Sequence, residues 1–150
     1  TRLCEAFGSP LGGALYTFPT AQRLAVLSVE DLSVIRAGFR AKYVLDAAKK
    51  VAAEMVPLDA LYSVPLADAQ ASLMQINGVG PKVADCALLF GLHRLDAFPQ
   101  DVWIKRVLAQ YYPDGFPVQL TPWRGVAQQY LFHYVRTGQN STQKSDRPSA

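Results

Sequence analysis

Two glycines one residue apart, set between two stretches of helical pattern, constrain this chain more than anything else in it. Leu73-Met74-Gln75-Ile76 runs into Asn77-Gly78-Val79-Gly80, and Pro81-Lys82-Val83-Ala84-Asp85-Cys86 follows at once. Glycine adopts positive φ readily and lets backbone come close to a ligand. Gly78 and Gly80 are therefore expected to turn the chain with positive φ. Pro81 suits the first position of a helix, where its missing N–H is no loss. The free N–H groups of that helix start form an anion site, and a phosphate diester fits it. An ordinary turn between two helices would show the same glycines. Lys82 at the end of the hairpin, and Asp101 further along, shift the reading toward nucleic acid.

Composition sets mild bounds. At 150 residues and 50% hydrophobic, the chain is expected to form one globular domain. A net charge of +3 permits nucleic-acid binding without arguing for it. Cys4 and Cys86 are the two cysteines and form no C-x-x-C pair, so no disulfide framework or zinc ribbon follows. An iron–sulfur cluster needs four such ligands. No metal site and no cofactor are expected. No apolar run approaches a membrane span and no signal peptide is visible, so the chain reads as intracellular, with no membrane partner.

Helices are expected throughout, with no convincing alternating strand. The opening Thr1-Arg2-Leu3-Cys4-Glu5-Ala6-Phe7-Gly8 reads as the end of a helix capped by Gly8, with nothing before it, as in an incomplete chain. Ser28 is a plausible N-cap, with acid in the first turn at Glu30 and Asp31. Val44, Ala47, Ala48, Val51, Ala52 and Met55 recur at helical spacing and predict a core-facing stripe, ended by Pro57. The hairpin helices are expected over residues 69–76 and 81 to about 92. Pro99-Gln100-Asp101 starts a helix running to about Tyr111, and Tyr112-Pro113-Asp114-Gly115 is a turn. Thr121-Pro122 predicts an N-cap with a first-turn proline. In the last helix Trp123, Val126, Ala127, Tyr130, Leu131 and Tyr134 share one side. The domain is placed at residues 1–137, and the polar stretch 138–150 is expected to be a disordered tail.

Four blocks, in order along residues 2–136, resemble the 8-oxoguanine DNA glycosylases of the helix-hairpin-helix superfamily, in which a Gly/Pro-rich hairpin is followed by an aspartate. They are Ala37-Gly38-Phe39-Arg40-Ala41-Lys42-Tyr43-Val44-Leu45-Asp46-Ala47-Ala48, the hairpin Gly78 to Cys86, Ala97-Phe98-Pro99-Gln100-Asp101-Val102-Trp103, and Ala127-Gln128-Gln129-Tyr130-Leu131-Phe132. The resemblance implies an all-α helix-hairpin-helix glycosylase fold, incomplete at its N-terminus. It implies excision of 8-oxoguanine from duplex DNA with coupled strand cleavage at the abasic site, by a monomer acting on damaged double-stranded DNA. Lys82 would be the nucleophile and Asp101 the second catalytic residue. Cys86 and Phe132 would sandwich the flipped base while Gln128 reads its hydrogen-bonding edge. Phe39 and Arg40 would form the wedge in the emptied stack. Gly78, Val79, Gly80 and Trp103 would contact DNA.

The chemistry of base removal agrees with those residue types. A lysine amine can attack the sugar C1′ and form a Schiff base. A carboxylate nearby can stabilise positive charge on the sugar and shuttle protons. Lys82 and Cys86 are i, i+4, as are Gln128 and Phe132, so each pair shares a helix face. A ring and an amide are what a flipped base requires. Read without the resemblance, Lys82 could simply contact a phosphate, Asp101 could cap a helix, Phe132 and Cys86 could be core, and Gln128 could be solvated. Lys42, Lys49, Lys50, Lys105, Arg106 and Arg124 could supply phosphate contacts; His93 and His133 receive no role.

The chain departs from the eukaryotic-type enzymes in carrying Phe39 for their tyrosine and Trp103 for their histidine, and it resembles the bacterial branch more closely. It begins downstream of the asparagine and arginine that help those enzymes select cytosine opposite the lesion. Two other readings remain: a glycosylase of the same fold for another damaged base, such as an oxidised pyrimidine, and a non-catalytic hairpin module that grips DNA backbone.

Overall fold

The computed structural model describes residues 1–142, with side chains through residue 137. Among the described residues seven α-helices carry the fold: α1 (Arg2–Phe7), α2 (Ala21–Ala25), α3 (Ala41–Ala52), α4 (Leu66–Leu73), α5 (Pro81–Cys86), α6 (Val102–Tyr111) and α7 (Arg124–Thr142). Short 3₁₀ segments at Asp31–Ile35, Gly38–Arg40, Leu58–Tyr62 and Val118–Trp123 join them, and a π-turn at Ala87–Gly91 extends α5. The backbone of α7 continues to Thr142, into the stretch expected as a disordered tail, and residues 143–150 lie outside the described residues.

The chain divides into two compact units. One comprises Thr1–Val64 with Ala71–Val79; the other comprises Pro65–Gln70 with the described chain from Gly80 onward. The first unit centres on Leu32, Ala41 and Leu45, with Leu3, Phe7, Leu27, Ile35, Ala37 and Val44 packed around them. Ser28 and Asp31 cap the first 3₁₀ segment reciprocally. The Asp31 backbone N–H donates to Ser28 Oγ at 3.1 Å, and the Ser28 N–H donates to Asp31 Oδ2 at 2.8 Å. Gly8 does end α1, but its backbone is extended rather than left-handed. Glycine is needed there for space, because a Cβ would lie 2.0 Å from the Thr17 carbonyl oxygen.

Several expectations need correcting. Pro10–Gly12 and Leu15–Tyr16 pair as a short antiparallel hairpin, where no strand was foreseen. Three or two residues cannot show an alternating pattern, and Gly12 (φ 105) and Gly13 (φ 59) were the available signal. The fully buried line on α3 is Ala41, Leu45 and Ala48; of the expected stripe Ala48 lies on it, Val44, Ala47, Val51 and Ala52 are half-buried, and Met55 is 58% exposed. Helix α3 stops before Pro57, at Ala52, with Glu54 at φ 54. The first hairpin helix spans Leu66–Leu73, earlier than its apolar run suggested. Thr121 Oγ1 donates to the Val118 carbonyl at 2.6 Å and caps nothing, because α7 begins at Arg124.

In the second unit, α7 starts where it does because of Gly125. Its N–H donates to the Leu95 carbonyl at 2.9 Å, and a Cβ there would lie 2.4 Å from the Ala97 carbonyl oxygen and 2.6 Å from Leu89 Cδ1. That close approach seats the first turn of α7 on the segment preceding α6.

Candidate active site

Lys82 sits in the first turn of α5, whose start is fixed by Pro81 at the head of the helix. Cys86 follows one turn later, half-buried, and Phe90 stands a further turn on, exposed on the π-turn. π-turns inside helices recur at functional sites because they re-aim side chains without ending the helix. Asp101 caps α6: its Oδ1 accepts the Ile104 backbone N–H at 2.8 Å. The cap holds the carboxyl at the mouth of the helix and occupies one of its two oxygens. Gln128, on the second turn of α7, is 4% exposed, and Gln129 Nε2 donates to its Oε1. Phe132 lies one turn beyond, half-buried, with the Arg136 guanidinium 5.4 Å from its ring centroid.

These side chains converge. Lys82, Cys86, Asp101, Gln128 and Phe132 line one cavity of about 160 Å³, together with Phe90, Pro99 and Gln129. No expectation from the sequence placed those last three in the site. Phe90 was within reach of it, since Lys82, Cys86 and Phe90 repeat at i, i+4. Pro99 and Gln129 carried no signal.

Lys82 borders a second, larger cavity of about 560 Å³, lined on the polar side by Gln70, Asp85, Gln100, Lys105 and Arg124. Asp85 accepts a hydrogen bond from Gln70 Nε2 at 2.9 Å. Burial raises its carboxyl above the ordinary range, against the opposing effects of Gln70 and of the Arg124 charge. Arg124 lies over the Phe98 ring at 5.5 Å, and its buried Nε has no hydrogen-bond partner among the described residues. Lys82 thus lines both recesses.

The hairpin glycines differ from each other. Gly78 has φ 83, as the sequence demanded. Gly80 does not: it caps α5 in an extended conformation open to any residue, with no atom within 4 Å of where a Cβ would stand. Gly78 is exposed, and Val79 and Gly80 are half-buried.

Phe39 and Arg40 belong to the other unit. Phe39 is 70% exposed on the 3₁₀ segment Gly38–Arg40, edge-on to Tyr43 at 6.2 Å, with the Arg40 guanidinium 5.3 Å from its ring. Trp103, 41% exposed, lies away from the cavity that holds Lys82. It lines a separate recess with Arg106, Val107, Gln110, Tyr111, Tyr134 and Val135. The basic residues offered as phosphate contacts are partly engaged elsewhere: Lys50 with Asp46, Arg106 over Trp103, and Lys42 over Tyr43.

The sequence pattern of HhH-GPD superfamily base excision DNA repair proteins matches residues 1–115. A probable N-glycosylase/DNA lyase of Methanothermobacter thermautotrophicus is 40% identical over 86 residues, 57% of this chain and 27% of that protein. The N-glycosylase/DNA lyase of Saccharomyces cerevisiae is 35% identical over 125 residues, 73% of this chain and 33% of that protein. The 8-oxoguanine glycosylase/lyase of Clostridium acetobutylicum, solved with double-stranded DNA containing cytosine opposite 8-oxoguanine, superimposes with a TM-score of 0.74 at 32% identity, over 92% of this chain and 52% of that one. The chain spans a third or less of the length of the first two relatives and about half of the third. With its helical fold, its hairpin and its aspartate-capped helix, the chain belongs to the HhH-GPD superfamily of base excision DNA repair proteins.

Proposed function

We propose that the protein carrying this chain removes 8-oxoguanine from duplex DNA and then cleaves the strand at the abasic site. One observation carries the reading: a lysine, a carboxylate, a thiol, a buried amide and an aromatic ring line a single recess. Each matches a step. The Lys82 amine attacks C1′, a C–N bond forms there, and the bond to the base breaks. Asp101 stabilises the positive charge that develops on the sugar. Opening of the sugar gives a Schiff base, from which the 3′ phosphate leaves by β-elimination. Phe132 and Cys86 lie against the faces of the extruded base, and Gln128 offers its edge both a donor and an acceptor. The hairpin at Gly78-Val79-Gly80 grips the backbone. Phe39, exposed and without a role in the core, fills the gap in the stack, beside Arg40. The protein acts as a monomer on intracellular DNA.

The relatives support the choice of lesion: one is named an 8-oxoguanine glycosylase/lyase and two are named N-glycosylase/DNA lyases. The test is a panel of duplexes carrying 8-oxoguanine, an oxidised pyrimidine, an alkylated purine or no damage. Free base and cleaved strand are measured separately. Release of 8-oxoguanine with matching strand cleavage is expected. Release of another base in preference, or binding without release, would contradict it.

A further inference from the structure

Three side chains of α3 hold the hairpin loop. Asp46 Oδ2 accepts the Asn77 backbone N–H at 2.7 Å and Lys50 Nζ at 2.9 Å. Lys50 Nζ also donates to the Gln75 carbonyl oxygen. The Tyr43 ring lies against Gly78 so closely that a Cβ there would be 2.8 Å from it. Tyr43, Asp46 and Lys50 fall at i, i+3 and i+7, along one face of the helix. Gln75 and Asn77 belong to the loop that follows α4; the Gln75 N–H still donates to the Ser72 carbonyl at 3.2 Å, but the Gln75 carbonyl and the Asn77 N–H lie past the helix and need a partner of their own. The clamp supplies one: an anion for the N–H and a cation for the carbonyl. Both charged side chains are four-fifths covered, at 21% and 20% exposure, so the pair is better shielded than a surface ion pair. Tyr43 also carries Phe39 on its edge, which joins the hairpin support to the exposed aromatic.

We propose that Asp46, Lys50 and Tyr43 are positioning residues for DNA binding, which set the hairpin in its phosphate-gripping conformation before DNA arrives. The proposal rests on the DNA-binding reading above. A hairpin already ordered binds without the entropic cost of being ordered. Simple Coulomb reasoning has the opposite sign. Removing the Asp46 carboxylate makes the protein more positive and should tighten its hold on a polyanion. The two effects can therefore be told apart by direction.

The experiment measures Kd by fluorescence anisotropy for the whole protein at fixed salt. One duplex contains a tetrahydrofuran abasic analogue and another is undamaged. Asp46→Ala is expected to weaken both by about tenfold, or ~1.4 kcal/mol. Asp46→Asn keeps an acceptor for Asn77 but loses the charge pair, and should fall between. With lesion substrate the loss should fall on KM more than on kcat. Equal or tighter binding by Asp46→Ala overturns the proposal, as does a loss confined to the damaged duplex. If Asp46→Ala melts far below wild type, Asp46→Asn decides: wild-type affinity in that folded variant overturns the clamp. Wild-type protein that binds neither duplex defeats the DNA-binding reading itself, and the clamp falls with it.

Discussion

Asp101 has two separable tasks. It caps α6 through Oδ1, and its charge is what the proposed chemistry uses. Asparagine caps a helix about as well as aspartate but carries no charge. Asp101→Asn is expected to keep its melting temperature while single-turnover excision slows at least about 100-fold, or ~2.7 kcal/mol. Asp101→Ala should lose about 1 kcal/mol of stability as well. Equal excision by wild type and Asp101→Asn would remove the carboxylate from the mechanism. In the proposed function, Phe132 serves base recognition but not strand cleavage. Stacking of this kind contributes about 1–3 kcal/mol per base, so Phe132→Ala should cut 8-oxoguanine release by roughly 10–100-fold. Cleavage at a preformed abasic site, where no base is present, should fall much less. Equal losses in a well-folded variant would make Phe132 a packing residue. At this scale the sequence was informative where spacing was enough: Lys82 and Cys86 share a face by count alone. The burial of Gln128 was not readable. Of the expected apolar stripe, Val126, Tyr130 and Tyr134 of that helix and Trp123 just before it are exposed, whereas Ala127 and Leu131 are half-buried. When apolar residues occupy several faces of a helix, periodicity does not say which face is covered.

At the scale of elements, the hairpin offers the sharpest contrast. Gly78 has positive φ and Tyr43 beneath it, so Gly78→Ala strains the backbone and collides with the ring. Gly80 is extended with open space around its Cα, so Gly80→Val costs the fold little. If Gly80 is glycine because DNA backbone comes close, Gly80→Val should weaken binding to damaged and undamaged duplex alike, with little change in melting temperature. Gly78→Ala should lower both affinity and melting temperature. A Gly80→Val protein with wild-type affinity would place the phosphate elsewhere. The caps were legible because they are local: Ser28 with Asp31, Pro81 at a helix start, and Asp101 at another. The short strands were not, since a pair this brief is held by its glycine turn and by the approach of Thr17 to Gly8. The stretch from Thr121 misled because threonine before proline fits a cap, whereas this Thr121 closes a 3₁₀ turn.

At the scale of the whole molecule, three carboxylates are pulled below their ordinary range, Asp31 and Asp46 in one unit and Asp96 in the other, Asp31 chiefly by its hydrogen bond from the Ser28 backbone N–H. Asp46 is lowered chiefly by its hydrogen bond from Lys50, and Asp96 chiefly by its hydrogen bond from Arg94. A carboxyl held low in the folded state stabilises it above the unfolded value near 4, and that contribution is lost as pH falls through the folded one. Asp85, raised by burial, acts in the opposite sense and stops opposing the fold once protonated. With three groups against one, the melting temperature should fall as pH drops from about 5 toward 2. The fall should be shallower in Asp46→Asn, and an identical slope in that variant would mean that the Lys50 pair contributes nothing. The division into two units was invisible to a composition that suggested one domain, because neither unit is continuous in sequence. The superfamily was legible, since its motifs are local and fall in order. The central claim is that Lys82 forms the covalent bond to DNA. Borohydride added during reaction with an 8-oxoguanine duplex reduces a Schiff base to a permanent protein–DNA adduct. Wild type is expected to give that adduct, and Lys82→Gln to give none while still binding the duplex. An adduct formed by Lys82→Gln at the wild-type rate, or no adduct from a wild-type protein that releases the base, would contradict the account.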